Sequence, residues 1–351
     1  MRTTACTVML VFILLSPGWS QDLPAGQAGR SDGKAALPEG DNGIARKYPG
    51  DRGIEDDPDV IQVEQFDSAT LAEVFARWES VKSKEGMSLS RDVPKGSADA
   101  QSLLMTHVGG KGTGSHLYTR LRSTKGAKPS VLTGYDQVFA RFYVKFDKDC
   151  FPLHHMGTSI GGYHPSTRWP QGGAGEAPRG NERFTTNLEP FGRRWRWGFY
   201  TYWKDMRGSP PRGQHWGNTF TWGVPQPKIV RGKWTCVEIM VKLNDPVSKA
   251  NGEQAYWIDG KLWRHEGQTV SHTGKGFPRG RWVHDKFIPD PKGTPFEGYQ
   301  WRTSDKLKIN FIWTYLYITR APAGHVSRLW FDNIVVARKY VGPLRPARAT
   351  R

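Results

Sequence analysis

The feature that most constrains the fold is a long succession of short segments in which apolar and polar residues alternate with a period of two. They cover 102–107, 116–122, 137–146, 196–204, 233–243, 254–258, 307–318 and 328–337. Successive side chains of a strand point to opposite faces, so this pattern marks strands with one face on a core. Gly- and Pro-rich loops separate them, and no helices of matching length alternate with them. A doubly wound parallel sheet is thereby excluded, and an all-β antiparallel β-sandwich is expected. One short N-terminal helix is predicted over Ser68–Trp78. Ser68 caps it, and Leu71, Val74, Phe75 and Trp78 form its apolar stripe. No repeat of solenoid or propeller period is present.

The first twenty residues read as a secretory signal. Arg2 supplies the charge, Val8–Leu15 the apolar run, and Gly18 and Ser20 the small residues before Gln21. A secreted protein, extracellular or periplasmic, is the expectation, with a retained anchor as the other reading. The run is too short to span a bilayer and no second long one follows, so no membrane span is expected. Residues 21–58 lack hydrophobic periodicity and read as a disordered or extended arm. Residues 59–344 read as one β-sandwich domain, and 345–351 as a frayed basic tail.

The formal net charge is +17. With export, this points to an acidic extracellular partner: a uronic-acid polysaccharide, the cell surface or nucleic acid. Plain solubility accounts for it equally well. Trp is abundant, which suits both an all-β core and a surface that stacks on sugar rings. Trp169, Trp195, Trp216 and Trp222 are candidates for either role. GRRWRW (192–197) interleaves bases with aromatics, but one short run is not a nucleic-acid track, and none is expected to bind. Cys150 and Cys236 are either a single disulfide or two buried thiols. No CxxC pair occurs, so no metal site and no cofactor are predicted. Structural calcium stays open: Asp245, Asp259 and Asp332 are acidic candidates, though none lies in an EF-hand loop. The oligomeric state is not legible.

The C-terminal third carries a specific cadence. GKWTCVEIMVKLNDP (232–246) leads to NGEQAYWIDGKL (251–262), and the last strand is LWFDNIVVA (329–337). Asp259-Gly260 is a hairpin turn, because Gly supplies the positive φ such turns need. A Trp-led strand ending in Asn, an xDG hairpin and a final FDN strand together resemble the jelly-roll polysaccharide lyases, namely alginate and glucuronan lyases of families fourteen and twenty. The resemblance covers roughly residues 137–340. It implies a concanavalin A-like jelly roll that cleaves an anionic polysaccharide by β-elimination. Non-catalytic lectin-like sandwiches share the hairpin and the last strand.

Such a reaction needs a neutraliser for the uronate carboxylate, a base for the C5 proton and an acid for the leaving oxygen. The resemblance places these roles on three segments. In HHMGTSIGG (154–162), His155 stands where the family has a Lys, with His154 beside it. In RFTTNLEP (183–190), Thr185 and Asn187 match a Ser-x-Arg whose Arg is missing. On that strand Arg183, Thr185, Asn187 and Glu189 share one face. In FYTYWK (199–204), Tyr200 and Tyr202 match a Tyr-x-Tyr, with Lys204 on the same face. Tyr200, Tyr202, His154 and His155 are thus the candidate catalytic residues. Arg168, Trp169, Arg183, Thr185, Asn187, Lys204, Glu238 and Lys242 are the candidate substrate-binding residues. Paired His in a loop are also common structural hydrogen-bonders, and Tyr-x-Tyr fits plain β-propensity. Glu238 and Lys242 fit a surface pair as well as a cleft. Two long connections, 164–183 and 268–300, are expected to rim one sheet face.

Two other functions compete. A carbohydrate-binding sandwich without catalysis needs only aromatics and amides. A glycoside hydrolase needs paired carboxylates. No Glu-x-Asp-x-x-Glu run occurs, and Glu238 is followed two residues on by Met240. Serine-hydrolase and phosphate-loop motifs are absent.

Overall fold

The computed structural model describes residues 37–112, 114–123, 130–131, 134–171, 173–190, 194–220, 227–263, 279–296 and 298–347. In chain order these form β1 (Val60–Glu64), α1 (Leu71–Ala76), β2 (Ser80–Lys82), β3 (Met87–Ser90), β4 (Ser102–Val108), β5 (Gly114–Arg120), β6 (Arg122–Ser123), β7 (Ser130–Val131), β8 (Gln137–Phe146), β9 (His155–Tyr163) and β10 (Arg183–Pro190). Then follow β11 (Trp197–Tyr202), β12 (Thr219–Phe220), β13 (Trp234–Lys242), β14 (Glu253–Ile258), β15 (Lys261–Leu262), β16 (Arg279–Val283), β17 (Lys286–Pro289), β18 (Thr294–Pro295), β19 (Phe311–Tyr317) and β20 (Val326–Ala337).

Two antiparallel sheets make the sandwich. The back sheet runs β15-β14-β13-β8-β20-β4-β3, with β1 also paired to β20, and the front sheet runs β11-β10-β9-β19-β5-β2. Between them lies one apolar layer. Val138, Ala140, Phe142 and Val144 of β8 and Val237, Ile239 and Val241 of β13 meet Ile160, Phe184, Leu188, Phe199 and Ile312 from the front sheet. Burying each such side chain is worth about 1.5–3 kcal/mol, and alternation along the strands delivers them all to one face. A buried polar network crosses the same layer. Thr186 Oγ1 lies 2.9 Å from Thr201 Oγ1 and donates to Gln254 Oε1 at 2.9 Å. Gln254 Nε2 donates to Tyr299 Oη at 2.6 Å. Buried polar groups tolerate few alternative arrangements, so this network fixes β10 and β11 on the back sheet. A small sheet, β12-β17-β16-β18, stands beside the β11 edge, and Thr201 and Asn218 exchange backbone hydrogen bonds there at 3.0 and 2.7 Å.

The all-β antiparallel sandwich expected from the alternation is the observed fold, and the short helix is present. Its cap is Thr70 rather than Ser68: Thr70 Oγ1 accepts from Glu73 N at 3.3 Å while Glu73 Oε2 accepts from Ala69 N at 3.1 Å. The cap thus lies two residues deeper than the first Ser, and Glu73 reaches back past it. No helix among the described residues is long and apolar enough to cross a membrane.

Residues 37–58 are not the loose arm expected. They form three 3₁₀ turns, Ile44–Lys47, Pro49–Asp51 and Ile54–Asp56, that pack Ile44, Ala45 and Ile54 against Val60, Val335, Ala337 and Val341. Turns of three or four residues leave no periodicity for a sequence pattern to reveal. They cover the outer face of the back sheet. Under this cover Arg141 is fully buried and paired with Asp51.

Cys150 and Cys236 are both free and buried. Cys150 belongs to the layer between the sheets, whereas Cys236 lies on the outer face of β13 beside Arg141, Glu238 and Tyr143. Opposite faces of one sheet prevent a bridge. Burial pushes the Cys150 thiol up to about 12.

Candidate active site

The outer face of the front sheet carries the polar cluster. His155 opens β9 and pairs in register with Tyr317 of β19. Asn187 and Glu189 of β10 stand opposite Tyr200 and Gly198 of β11. Pairing of β9 with β10 stops at Ile160–Thr186, and beyond it the Asn187 side chain fills the gap over Gly157. Gly157 has φ +136°, and a Cβ there would come within 2.3 Å of Asn187 Oδ1. Only Gly meets both demands.

Asn187 is 1% exposed. Its Nδ2 donates to Met156 O at 2.5 Å and lies 3.0 Å from Glu189 Oε2 and 3.1 Å from Tyr315 Oη. Its Oδ1 is buried without a partner. The expectation that Asn187 binds substrate is therefore corrected. Its amide hydrogens are spent within the protein, and it holds Glu189 in place. Tyr315 Oη in turn accepts from Ser159 Oγ at 3.3 Å.

Glu189 holds His155. Nδ1 of the ring lies 2.9 and 3.2 Å from the two carboxylate oxygens and donates to them. Burial pulls the imidazole down, but the Glu189 charge and hydrogen bond outweigh it, so the His155 pKa stands above 6.5. His154 moves the other way: burial first, then the charges of His155 and Arg320, lower it below 6.5. The two rings stack at 4.4 Å. His154 Nδ1 lies 3.1 Å from Thr319 Oγ1. Adjacent imidazoles are thus tuned in opposite directions, which is how one site holds an acid and a base together.

Tyr200 lies with its ring 4.5 Å from His155 and its hydroxyl 3.2 Å from that of Tyr202. Burial raises both phenols, Tyr200 far above its ordinary range. Both stay protonated near pH 7.

A cleft of about 310 Å³ opens over this cluster. His154, His155, Glu189 and Tyr200 line it from the front sheet, and Trp216, Asp285 and Lys286 from outside the sheet. Gly217, at φ +93°, lets the chain pass flat against Tyr200, since a Cβ would meet the ring at 2.5 Å.

The other candidates are distributed more widely. Arg183 shares the face, and its Nη2 donates to Glu176 O at 3.1 Å. Its charge acts on Tyr202. Thr185 is half-buried on the same face. Lys204 pairs with Asp205 at 2.6 Å. Arg168 and Trp169 are exposed on the loop before β10, outside the cleft lining. Glu238 and Lys242 are not in the cleft. They lie on the outer face of the back sheet, where Glu238 accepts from Val341 N and Gly342 N at 2.7 and 2.8 Å and Lys242 is 3.9 Å from Glu253. Glu238 is far from the cleft because β13 belongs to the back sheet, and its burial on both faces gave alternation nothing to mark. Burial pushes it up to about 7. Trp195 packs edge-on against Phe146, and Trp222 lies outside the described residues. Among the described residues no group of three or more His, Cys, Asp or Glu is placed to hold a metal ion.

Sequence reasoning passed over Glu189, Tyr315, Asp285 and Lys286. Alternation along β10 had already put Glu189 on the face of Asn187. Asp285 and Lys286 sit within the second long connection, where no local pattern marks which residues turn inward.

No protein-family model matches the sequence, and no curated protein does. Among solved structures the chain is similar to an alginate lyase from Chlorella virus, at 14% identity over 80% of this chain and 100% of that one, with TM-score 0.49. It is similar to a second alginate lyase at 13% identity, covering 80% and 98%, TM-score 0.48. An endo-β-1,4-glucuronan lyase from the fungus Trichoderma reesei gives 15% identity, covering 75% and 91%, TM-score 0.39.

Proposed function

We propose that this cleft binds an anionic, uronate-containing polysaccharide and cleaves it by β-elimination. The observation that carries the reading is geometric: two imidazoles stack at 4.4 Å, one of them held by Glu189 at 2.9 Å, with the Tyr200 ring 4.5 Å away, and this arrangement tunes the two rings in opposite directions. His155, whose protonated form Glu189 favours, faces the uronate carboxylate and stabilises the charge that develops as C5 loses its proton. His154, neutral near pH 7 and in the tautomer that donates Nδ1–H to Thr319 Oγ1, takes that proton on Nε2. The C5–H electrons form the C4=C5 double bond, the C4–O bond breaks, and Tyr200 Oη protonates the departing oxygen. Tyr202 orients Tyr200 through the phenol–phenol hydrogen bond. The net charge of +17 favours encounter with an acidic polymer.

The test is ultraviolet absorbance of the unsaturated product after incubation with alginate, glucuronan or pectate. A rise with at least one polymer is expected, lost in His154→Ala and Tyr200→Phe while the fold persists. No rise with any uronate polymer, together with retention of the protein in gels cast with them, assigns the cleft to binding without catalysis.

A further inference from the structure

The wall of the cleft outside the front sheet has no part in the proton transfers. It consists of Trp216, on the turn after Tyr202, and Asp285 and Lys286, at the start of β17. Trp216 is 43% exposed, whereas Trp197, Trp203, Trp257 and Trp301 are fully buried. Trp169 is the other exposed tryptophan, and it lies outside the cleft lining, so Trp216 is the exposed indole at the cleft mouth and forgoes the burial those four secure. Its position is built. The Gly175 backbone runs beside the ring: a Cβ built there would sit 3.7 Å from the edge of the Trp216 indole. Gly175 and His215 exchange backbone hydrogen bonds at 2.9 and 3.1 Å, so two long loops are tied together beside Trp216.

Asp285 is equally fixed. Ser209 Oγ donates to its Oδ2 at 2.7 Å and Lys286 Nζ to its Oδ1 at 2.8 Å. The pair is balanced in charge, and it offers a carboxylate acceptor and an ammonium donor side by side. An aromatic face next to such a pair matches a pyranose ring, with an apolar C–H surface on one side and hydroxyls at its rim.

We propose that Trp216, Asp285 and Lys286 form a pyranose-binding subsite adjoining the reacting sugar, in which the indole stacks on the ring and the ion pair takes its hydroxyls. The inference rests on the polysaccharide reading of the cleft but not on its chemistry. The subsite supplies affinity, and the selection for a carboxylate stays with His155.

The test separates the two. Tyr200→Phe is used as the parent, so that binding is read without turnover, by affinity electrophoresis through gels containing alginate or glucuronan. Adding Trp216→Ala is expected to weaken retention roughly tenfold, the scale of one stacked ring. Adding Lys286→Met is expected to weaken it severalfold. Val230→Ser, which removes an exposed apolar side chain outside the cleft, serves as the control and leaves it unchanged. Full retention by the Trp216 variant overturns the subsite, as does failure of the parent to bind either polymer. Circular dichroism of each variant guards against unfolding. Absorbance by the wild-type protein reports the lyase reading independently, so retention without turnover supports the subsite while removing the chemistry.

Discussion

His155 Nδ1 lies 2.9 Å from Glu189 Oε1 on the neighbouring strand, and this pair sets the charge of the cleft. Burial acts on His155 in the direction of the neutral ring, and only the carboxylate reverses it. Glu189→Gln is therefore expected to bring the His155 pKa below 6.5, since burial then acts unopposed. Turnover near pH 7 should fall severalfold, in step with the cationic fraction of His155 that is lost. An NMR titration of the His155 ring checks it; a pKa that stays above 6.5 in the variant would remove Glu189 from its assigned part.

The pH dependence follows from the same two rings. His154 must be neutral to accept a proton, so activity rises with pH through its lowered pKa, on the acid side of 6.5. His155 must be cationic, so activity falls as pH climbs through its raised pKa, on the alkaline side of 6.5. The product is a bell. Glu189→Gln should move the descending limb to lower pH and narrow it. A profile of kcat/KM against pH that only rises would contradict the cationic role of His155.

Gly157 offers a test of architecture. Its φ of +136° is costly for any other residue, and a Cβ would strike Asn187 Oδ1. Gly157→Ala should cost about 1–3 kcal/mol in urea denaturation from backbone strain alone. It should also displace Asn187 and, through it, Glu189, so that activity drops further than the stability loss explains. Unchanged activity in a folded variant would show that Asn187 does not position Glu189.

What the sequence disclosed and what it hid follow from the same geometry. Strands of the front sheet have one face on the core and one on the cleft, so alternation in 183–190 and 199–204 separated Asn187, Tyr200 and Tyr202 from Phe184, Leu188 and Phe199. In the back sheet both faces are buried, and β13 gave no sign that Glu238 meets backbone amides of the C-terminal segment instead of a ligand. Asp285 and Lys286 reach the cleft through a small sheet at the β11 edge, a long-range placement that period and spacing do not encode. The 3₁₀ turns of 44–56 were hidden for a third reason. Their apolar residues are few, and their burial depends on a sheet formed by residues about 280 positions later.

Those turns carry the remaining prediction. Asp51 pairs with Arg141, and both side chains are 0% exposed. Two further guanidinium nitrogens, Nε and Nη1, have no partner, so Asp51 is the acceptor on which the buried charge depends. Removing one member of a buried pair typically costs about 3–5 kcal/mol, because the other charge is left uncompensated. Asp99 and Asp332 also lie within electrostatic reach of Arg141, which places Asp51→Ala toward the lower end, at about 3 kcal/mol. Arg141→Met removes the charge itself, and adding it to Asp51→Ala should recover part of the loss. The check is a double-mutant cycle in urea. Strictly additive losses would mean that Asp51 contributes through packing of the turn alone. Coupling of about 1 kcal/mol or more would show that residues 37–58 are fastened to the sandwich by this pair.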